Sequence, residues 1–520
     1  MSKQTQVTPA WLSDAVFYEI YPQSYYDTNG DGIGDFNGIT EKLPYIRDLG
    51  CNALWINPCF DSPFKDAGYD VRDYKRVAPR YGTNEDLYRL FEEAHRLGIR
   101  VLLDLVPGHT SEEHPWFLRS GEAAPNEYSG RYIWTDDWFK AIPGRPCIGG
   151  EQPRNGVYML NFFKCQPALN YGWLKPTESW QSAADSPEAL ATREAMKDVM
   201  RFWLGHGADG FRVDMADSLV KGDDERKSGT CTVWRDIRAM LDKEFPEAAL
   251  VAEWSNPWQA VDGAGFHMDF YLEHWHNGYH TLLRDGEKSF FRRDGQGDIR
   301  RFLGDYLPRY EIARGKGYIA LITCNHDTPR VCPALTPDEA KLAYAFLLTL
   351  PGVPFVYYGD EIGMRYQAQQ PTKEGGYTRT GTRTPMQWNA GKNLGFSTAD
   401  ADQLYLPVDA AEDAPTVEAQ AGDPHSLLET VRAVIRFRHA HEDLSADADF
   451  EAFVLPNEPR ALVYRRGKLI LCVNPSGKAV PLPADIAKKL EGKKCVFAIG
   501  CEPGDAAATH MAAQSFAVFE

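Results

Sequence analysis

The chain has 520 residues, of which 43% are hydrophobic and 25% charged, a soluble, globular composition long enough for two to four domains. Its net charge of −17 disfavours nucleic acid or any other polyanion as partner, because phosphate binding needs a concentrated basic face; the mixed-sign run KGDDERK (221–227) reads as a solvated loop. The N-terminal residues hold no apolar run long enough for a signal segment, no later window approaches a membrane span, and the ten cysteines lack CxxC spacing, so the chain reads as cytoplasmic with buried free thiols.

In chain order, AVFYEIYP (15–22), CNALWINP (51–58) and RVLLDLVP (100–107) read as strands buried on both faces. Between the last two lies NEDLYRLFEEAHRLG (84–98), whose Leu87, Leu90, Phe91, Ala94 and Leu97 follow helical spacing, with Asn84 as its cap and Gly98 as its stop. From 107 to 178 the rhythm breaks into Gly-, Pro-, Trp- and Asn-rich sequence, too long for an ordinary loop, and this predicts a small inserted domain. It resumes with a helix stripe of Met196, Val199, Met200 and Trp203, followed by the strand-like runs 210–215, 249–254, 265–272, 318–327 and 353–363. Eight βα units predict an α/β fold, a (β/α)8 TIM barrel over 1–106 and 179–440, with the insertion at 107–178 after the third strand. The alternating pattern of 441–520 predicts a C-terminal antiparallel β-sandwich.

Barrels carry their reactive groups at the C-terminal ends of the strands. Polar residues at those ends are Asp104, His109, Arg212, Asp214, Glu253, His326 and Asp327. Arg212 and Asp214 are two apart and share a strand face, so the guanidinium is expected to hold Asp214 ionised. Glu253 follows the apolar LVA and precedes Trp254, surroundings expected to favour its protonated form. Two carboxyl groups displaced in opposite directions are what glycosidic cleavage requires, one as nucleophile and one as general acid. Any one acid reads as easily as half of a structural ion pair; the set, at successive strand ends, does not.

These blocks carry a resemblance. GFRVDMAD, VAEW, NHD and DLVPGHT are similar to the catalytic sequence blocks of the α-amylase superfamily, glycoside hydrolase family thirteen, and they occur in the family's order. GYDVRDY (68–74), QPALN (166–170) and GTRTPMQW (381–388) further resemble the branch of oligo-1,6-glucosidases, α-glucosidases and trehalose synthases. The resemblance implies that Asp214 attacks the anomeric carbon, that Glu253 protonates the leaving oxygen, and that Asp327 grips the O2 and O3 hydroxyls. It assigns His109 and His326 to ring hydroxyls, Arg212 to orienting Asp214, Tyr69 to stacking on the sugar, and Asp70 with Arg383 to clamping a terminal O4. Gly108 stands where the family has Asn, Ala168 where it has an acid, and Met215 matches no linkage-specific pattern.

DTNGDGIGD (27–35) alternates the oxygen donors Asp27, Asn29, Asp31, the Ile33 carbonyl and Asp35, a set that suits Ca²⁺ or, less well, Mg²⁺. Gly38 stands where an EF-hand needs Glu, so the expected role is a structural ion of the kind the resemblance places after the first strand. The glycines at 30, 32 and 34 have no phosphate-binding helix start behind them, and no organic cofactor is expected. The leading expectation is a retaining, exo-acting α-glucosidase on small oligosaccharides, as monomer or homodimer and without a membrane partner. A transferase or isomerase of the trehalose synthase type is the second reading, and a non-catalytic barrel relative a remote third.

Overall fold

A computed structural model describes residues 8–138, 145–274, 277–501 and 509–520. The predicted runs form a closed parallel barrel of β1 (Phe17–Ile20), β2 (Ala53–Ile56), β3 (Arg100–Leu105), β4 (Gly210–Val213), β5 (Ala249–Ala252), β6 (Met268–Phe270), β7 (Tyr318–Ile322) and β8 (Val353–Tyr357). Each strand pairs with the next, and β8 closes on β1 with Phe17 opposite Phe355. The strands are short and almost wholly buried because helices cover the outside and side chains fill the inside. Phe17 stacks on Phe355 at 4.2 Å, and Trp55 and Phe270 pack against the same ring. These rings fill the barrel interior beneath the strand ends.

Gly210 is required where β4 begins. Its φ is +148°, and a β-carbon there would run into the Ala249 carbonyl oxygen, so only glycine lets β4 and β5 lie together. The helix Asn84–Arg96 is capped one residue earlier than expected. Thr83, not Asn84, accepts the Asp86 N–H, and Asp86 reaches back to complete a capping box. Asn84 instead ties the Val77 N–H and the Lys75 carbonyl.

Between β3 and the helix Pro187–Gly205 lie a short helix, Pro115–Ser120, and a three-stranded antiparallel sheet of Trp134–Thr135, Cys147–Gly149 and Val157–Met159. The C-terminal region forms a five-stranded antiparallel sheet (Phe450–Val454, Leu462–Arg466, Leu469–Asn474, Ser515–Phe519 and Cys495–Ile499 in spatial order), with a separate two-stranded pair. Cys51, Cys59, Cys165, Cys231, Cys324, Cys332, Cys472 and Cys495 are buried free thiols. Among the described residues, no helix is long and apolar enough to cross a membrane.

Candidate active site

The parallel ladder continues past the strand ends and sets the acids side by side. The Asp214 N–H donates to the Leu105 carbonyl at 2.9 Å and the Glu253 N–H to the Val213 carbonyl at 3.0 Å. Arg212, 1% exposed, lies over the Trp55 ring and reaches three acids at once. Its Nη1 donates to Asp104 Oδ1 and Asp214 Oδ1, both at 2.9 Å, and its Nη2 lies 3.0 Å from Glu253 Oε2. The Met215 N–H donates to the same glutamate oxygen at 2.9 Å.

Two expectations are corrected here. Glu253 does not sit in apolar surroundings, since a guanidinium and an N–H both hold its carboxyl group. Nor does Arg212 set Asp214 by itself. Burial, and after it the Glu253 carboxylate, push the Asp214 carboxyl well above the usual carboxylate range, and Arg212 offsets them only in part. One positive charge shared among three acids, two of them buried, cannot neutralise each of them, so the cluster favours keeping a proton.

Asp214, Glu253 and Asp327 line one open cavity of about 320 Å³, together with Tyr69, His109 and Met215. Tyr69 and Asp327 of the cavity lining are organised from behind by the buried His326. Its Nδ1 lies 2.9 Å from Glu19 Oε1 and its Nε2 lies 2.6 Å from the Tyr69 hydroxyl, whose ring stacks on the imidazole. Burial opposes charge on His326, but Asp327 and Glu19 outweigh it and raise the imidazole to about 9. Asp327 is held well below the usual carboxylate range: burial favours its protonated form, and His326, Arg383 and Arg379 override that preference. Glu19 and Asn57, which anchor His326 from β1 and from the end of β2, were not among the sequence candidates. Both sit in strand runs where the apolar neighbours mask a polar residue.

The expected Asp70–Arg383 pair does not form. Asp70 is fully buried and accepts from the Ser62 hydroxyl and from the Lys65 and Asp66 N–H groups; it staples its own loop. Burial raises its carboxyl to about 6. Arg383 donates instead to the His326 carbonyl at 2.8 Å and to Asp327 Oδ1 at 2.7 Å. The acid and arginine that face the cavity are Asp66 and Arg379, 3.4 Å apart, with Arg379 also 3.1 Å from Asp327. Gln166 of the QPALN block holds Asp66 from behind at 2.7 Å.

The 27–35 loop is wound by successive turns in which Asp27, Asn29 and Asp31 each accept the N–H two residues on. Asp27 also accepts from the Gly30 and Gly32 N–H groups and from the Ser397 hydroxyl. Asp35 accepts from Thr28 and caps the helix Phe36–Leu49 at Gly38. A helix therefore does follow the glycine run, but a carboxylate closes its start, which leaves no open N–H cradle for phosphate. The donor chemistry, five oxygens at alternate residues, fits a hard cation. Among the described residues no three His, Cys, Asp or Glu side chains yet converge as metal donors.

The family described as "Alpha amylase, catalytic domain" matches residues 19–447. Trehalose synthase/amylase TreS of Mycobacterium tuberculosis (strain CDC 1551 / Oshkosh) is 32% identical over 522 residues, covering 90% of this chain and 82% of that protein. Oligo-1,6-glucosidase of Heyndrickxia coagulans is 31% identical over 556 residues, covering 93% and 95%. Among solved structures, a mutant of the trehalulose synthase MutB matches with a TM-score of 0.79 at 25% identity, over 98% of this chain and 99% of that one.

Proposed function

Because this chain belongs to the α-amylase family of glycoside hydrolases, we propose that it is a retaining, exo-acting α-glucosidase of short α-linked gluco-oligosaccharides. The observation that carries this reading is Arg212, whose two terminal nitrogens hold Asp214 and Glu253 on one cavity wall. Carboxyl groups gripped by one guanidinium suit the roughly 5 Å separation of retaining enzymes better than the wider gap that admits an inverting water.

In the proposed reaction Asp214 attacks the anomeric carbon while Glu253 gives the cluster's proton to the leaving oxygen. The resulting glycosyl–Asp214 ester is opened by water, whose proton returns to Glu253. Arg212 stays bound to both carboxyl groups as charge moves between them. Asp327, kept ionised by His326, Arg379 and Arg383, would accept hydrogen bonds from two ring hydroxyls. The nitrogens that the resemblance would give to ring hydroxyls are already engaged, those of His326 by Glu19 and Tyr69 and those of His109 by the Tyr69 carbonyl and Asn161, so both rings would brace Tyr69, which would lie against the sugar face. Asp66 and Arg379, in place of Asp70 and Arg383, would clamp the non-reducing end and limit release to single units.

The transferase or isomerase reading is kept because relatives named trehalose synthase and trehalulose synthase stand beside the one named oligo-1,6-glucosidase. Both reactions share the ester and differ in the acceptor that opens it. Maltose, isomaltose, trehalose and sucrose incubated with the purified protein separate the two, with Asp214→Asn as control. Free glucose from maltose supports hydrolysis, and trehalose or longer products support transfer. The control is expected to lose on the order of 10⁴-fold or more in kcat. A calcium ion, if bound, would be held by Asp27, Asn29, Asp31, Asp35 and the Ile33 carbonyl, and its contribution would be to brace the loop.

A further inference from the structure

We propose that Asn161, reaching from the inserted domain into the space left by Gly108, is a positioning residue that fixes which nitrogen of His109 carries its proton. His109 lines the cavity and is only 2% exposed. Its Nε2 lies 3.1 Å from the Tyr69 carbonyl oxygen, which can only accept, so Nε2 carries the hydrogen. Its Nδ1 lies 3.0 Å from Asn161 Nδ2, which can only donate, so Nδ1 is bare. Burial agrees with a neutral ring, since it lowers His109 to about 4.

The amide of Asn161 could in principle turn over and present its oxygen to Nδ1. Lys221 prevents this. The run 221–227 looked solvated in the sequence, yet Lys221 is 5% exposed, with Nζ 2.5 Å from the Ser218 carbonyl and 3.4 Å from Asn161 Oδ1. Turning the amide over would set its NH₂ group against the lysine's own donors. The relay therefore runs from Lys221 through Asn161 to His109, and each member takes one role while Lys221 keeps its proton, which burial makes easier to lose by lowering the amine to about 7.

Gly108 is what admits the amide. A β-carbon at 108 would sit 2.9 Å from Asn161 Nδ2, closer than such contacts occur without displacement. The departure of Gly108 from the family's Asn is in this way matched by an amide supplied from position 161. The consequence is that both ring nitrogens are engaged within the protein, the Nε2–H by the Tyr69 carbonyl and Nδ1 by the Asn161 amide, so the relay fixes the orientation in which the ring lines the cavity.

The kinetic arm of the test rests on the glucosidase reading, whereas the spectroscopic arm needs no substrate, so their failures are distinguishable. Imidazole nitrogen NMR of the full-length protein, with His109→Gln to assign the signal, is expected to show the Nε2–H form. Asn161→Asp is expected to place a proton on Nδ1 and to lower kcat/KM about 10-fold, the scale of one buried hydrogen bond. Gly108→Ala keeps every polar atom but displaces the amide, and it is expected to perturb the same signal even should Asn161→Asp not fold. Its kinetic loss is expected to shrink below about 2-fold in an Asn161→Ala background, as residues acting through one contact are non-additive. An unchanged imidazole signal in both variants, or fully additive losses, would overturn the proposal.

Discussion

Arg212 serves Asp104, Asp214 and Glu253 at once, and the further partners of the acidic residues around the cavity separate their roles. Asp104 is held by Trp55 and Tyr69, Glu253 by the Met215 N–H, and Asp327 by two arginines and an imidazole. Asp66 and Asp70, four residues apart, differ in the same way. Asp66 faces the cavity with Arg379, whereas every contact of Asp70 is to its own loop. Asp66→Asn is therefore expected to raise KM for maltose about 10-fold with a smaller change in kcat, the loss of one charge-assisted hydrogen bond. Asp70→Asn is expected to lower Tm first; Michaelis–Menten and melting data on the pair check the assignment. His326 makes stability depend on pH. The folded imidazole keeps its proton to about 9, whereas an unfolded one releases it near roughly 6.5. This contribution is complete below pH ~6.5 and is lost as pH rises through ~9. Tm should fall across that interval, and His326→Gln should flatten the fall; parallel curves for the two proteins would remove His326 from the account.

At the scale of elements, what the sequence made legible followed from local physics. Strands buried on both faces advertise themselves as apolar runs, and an acid placed directly after such a run is exposed at the barrel mouth. Asp214, Glu253 and Asp327 were readable for that reason. Asp66 and Arg379 were not, because they meet across 313 residues from loops without periodicity. Lys221 was hidden by a charge run of which it is the one buried member. The sequence pointed to Asn84 as the cap and passed over Thr83, although both residue types cap well and only the reach of Asp86 decides between them. The 27–35 loop was legible as an oxygen-donor ladder, but the sequence could not say whether N–H groups or an ion would take those oxygens. If an ion does, chelator should lower Tm by a few °C and added calcium should restore it. A melting curve indifferent to both would leave the loop standing on its own hydrogen bonds.

At the scale of the whole molecule, the barrel fixes the chemistry by register. Asp214 and Glu253 are adjacent because β4 and β5 pair from Gly210 and Ala249 onward, and Gly210 permits that pairing. The inserted domain then contributes Asn161 and Gln166, which hold His109 and Asp66 from behind. Barrel and insertion thus divide the work: strand ends supply the acids proposed to react, and the insertion braces the residues proposed to hold the sugar. Linkage preference and the choice between water and a sugar acceptor lie in loop shape around the cavity mouth, which no run of residues encodes locally. The central claim is that Asp214 bonds directly to carbon with Glu253 as its acid, and the anomer released first tests it most directly. Proton NMR of an α-glucoside digest, followed from the first minutes, is expected to show α-glucose appearing first and β-glucose growing only by mutarotation. Release of β-glucose first would mean that water attacks the glucoside directly, and would contradict the account.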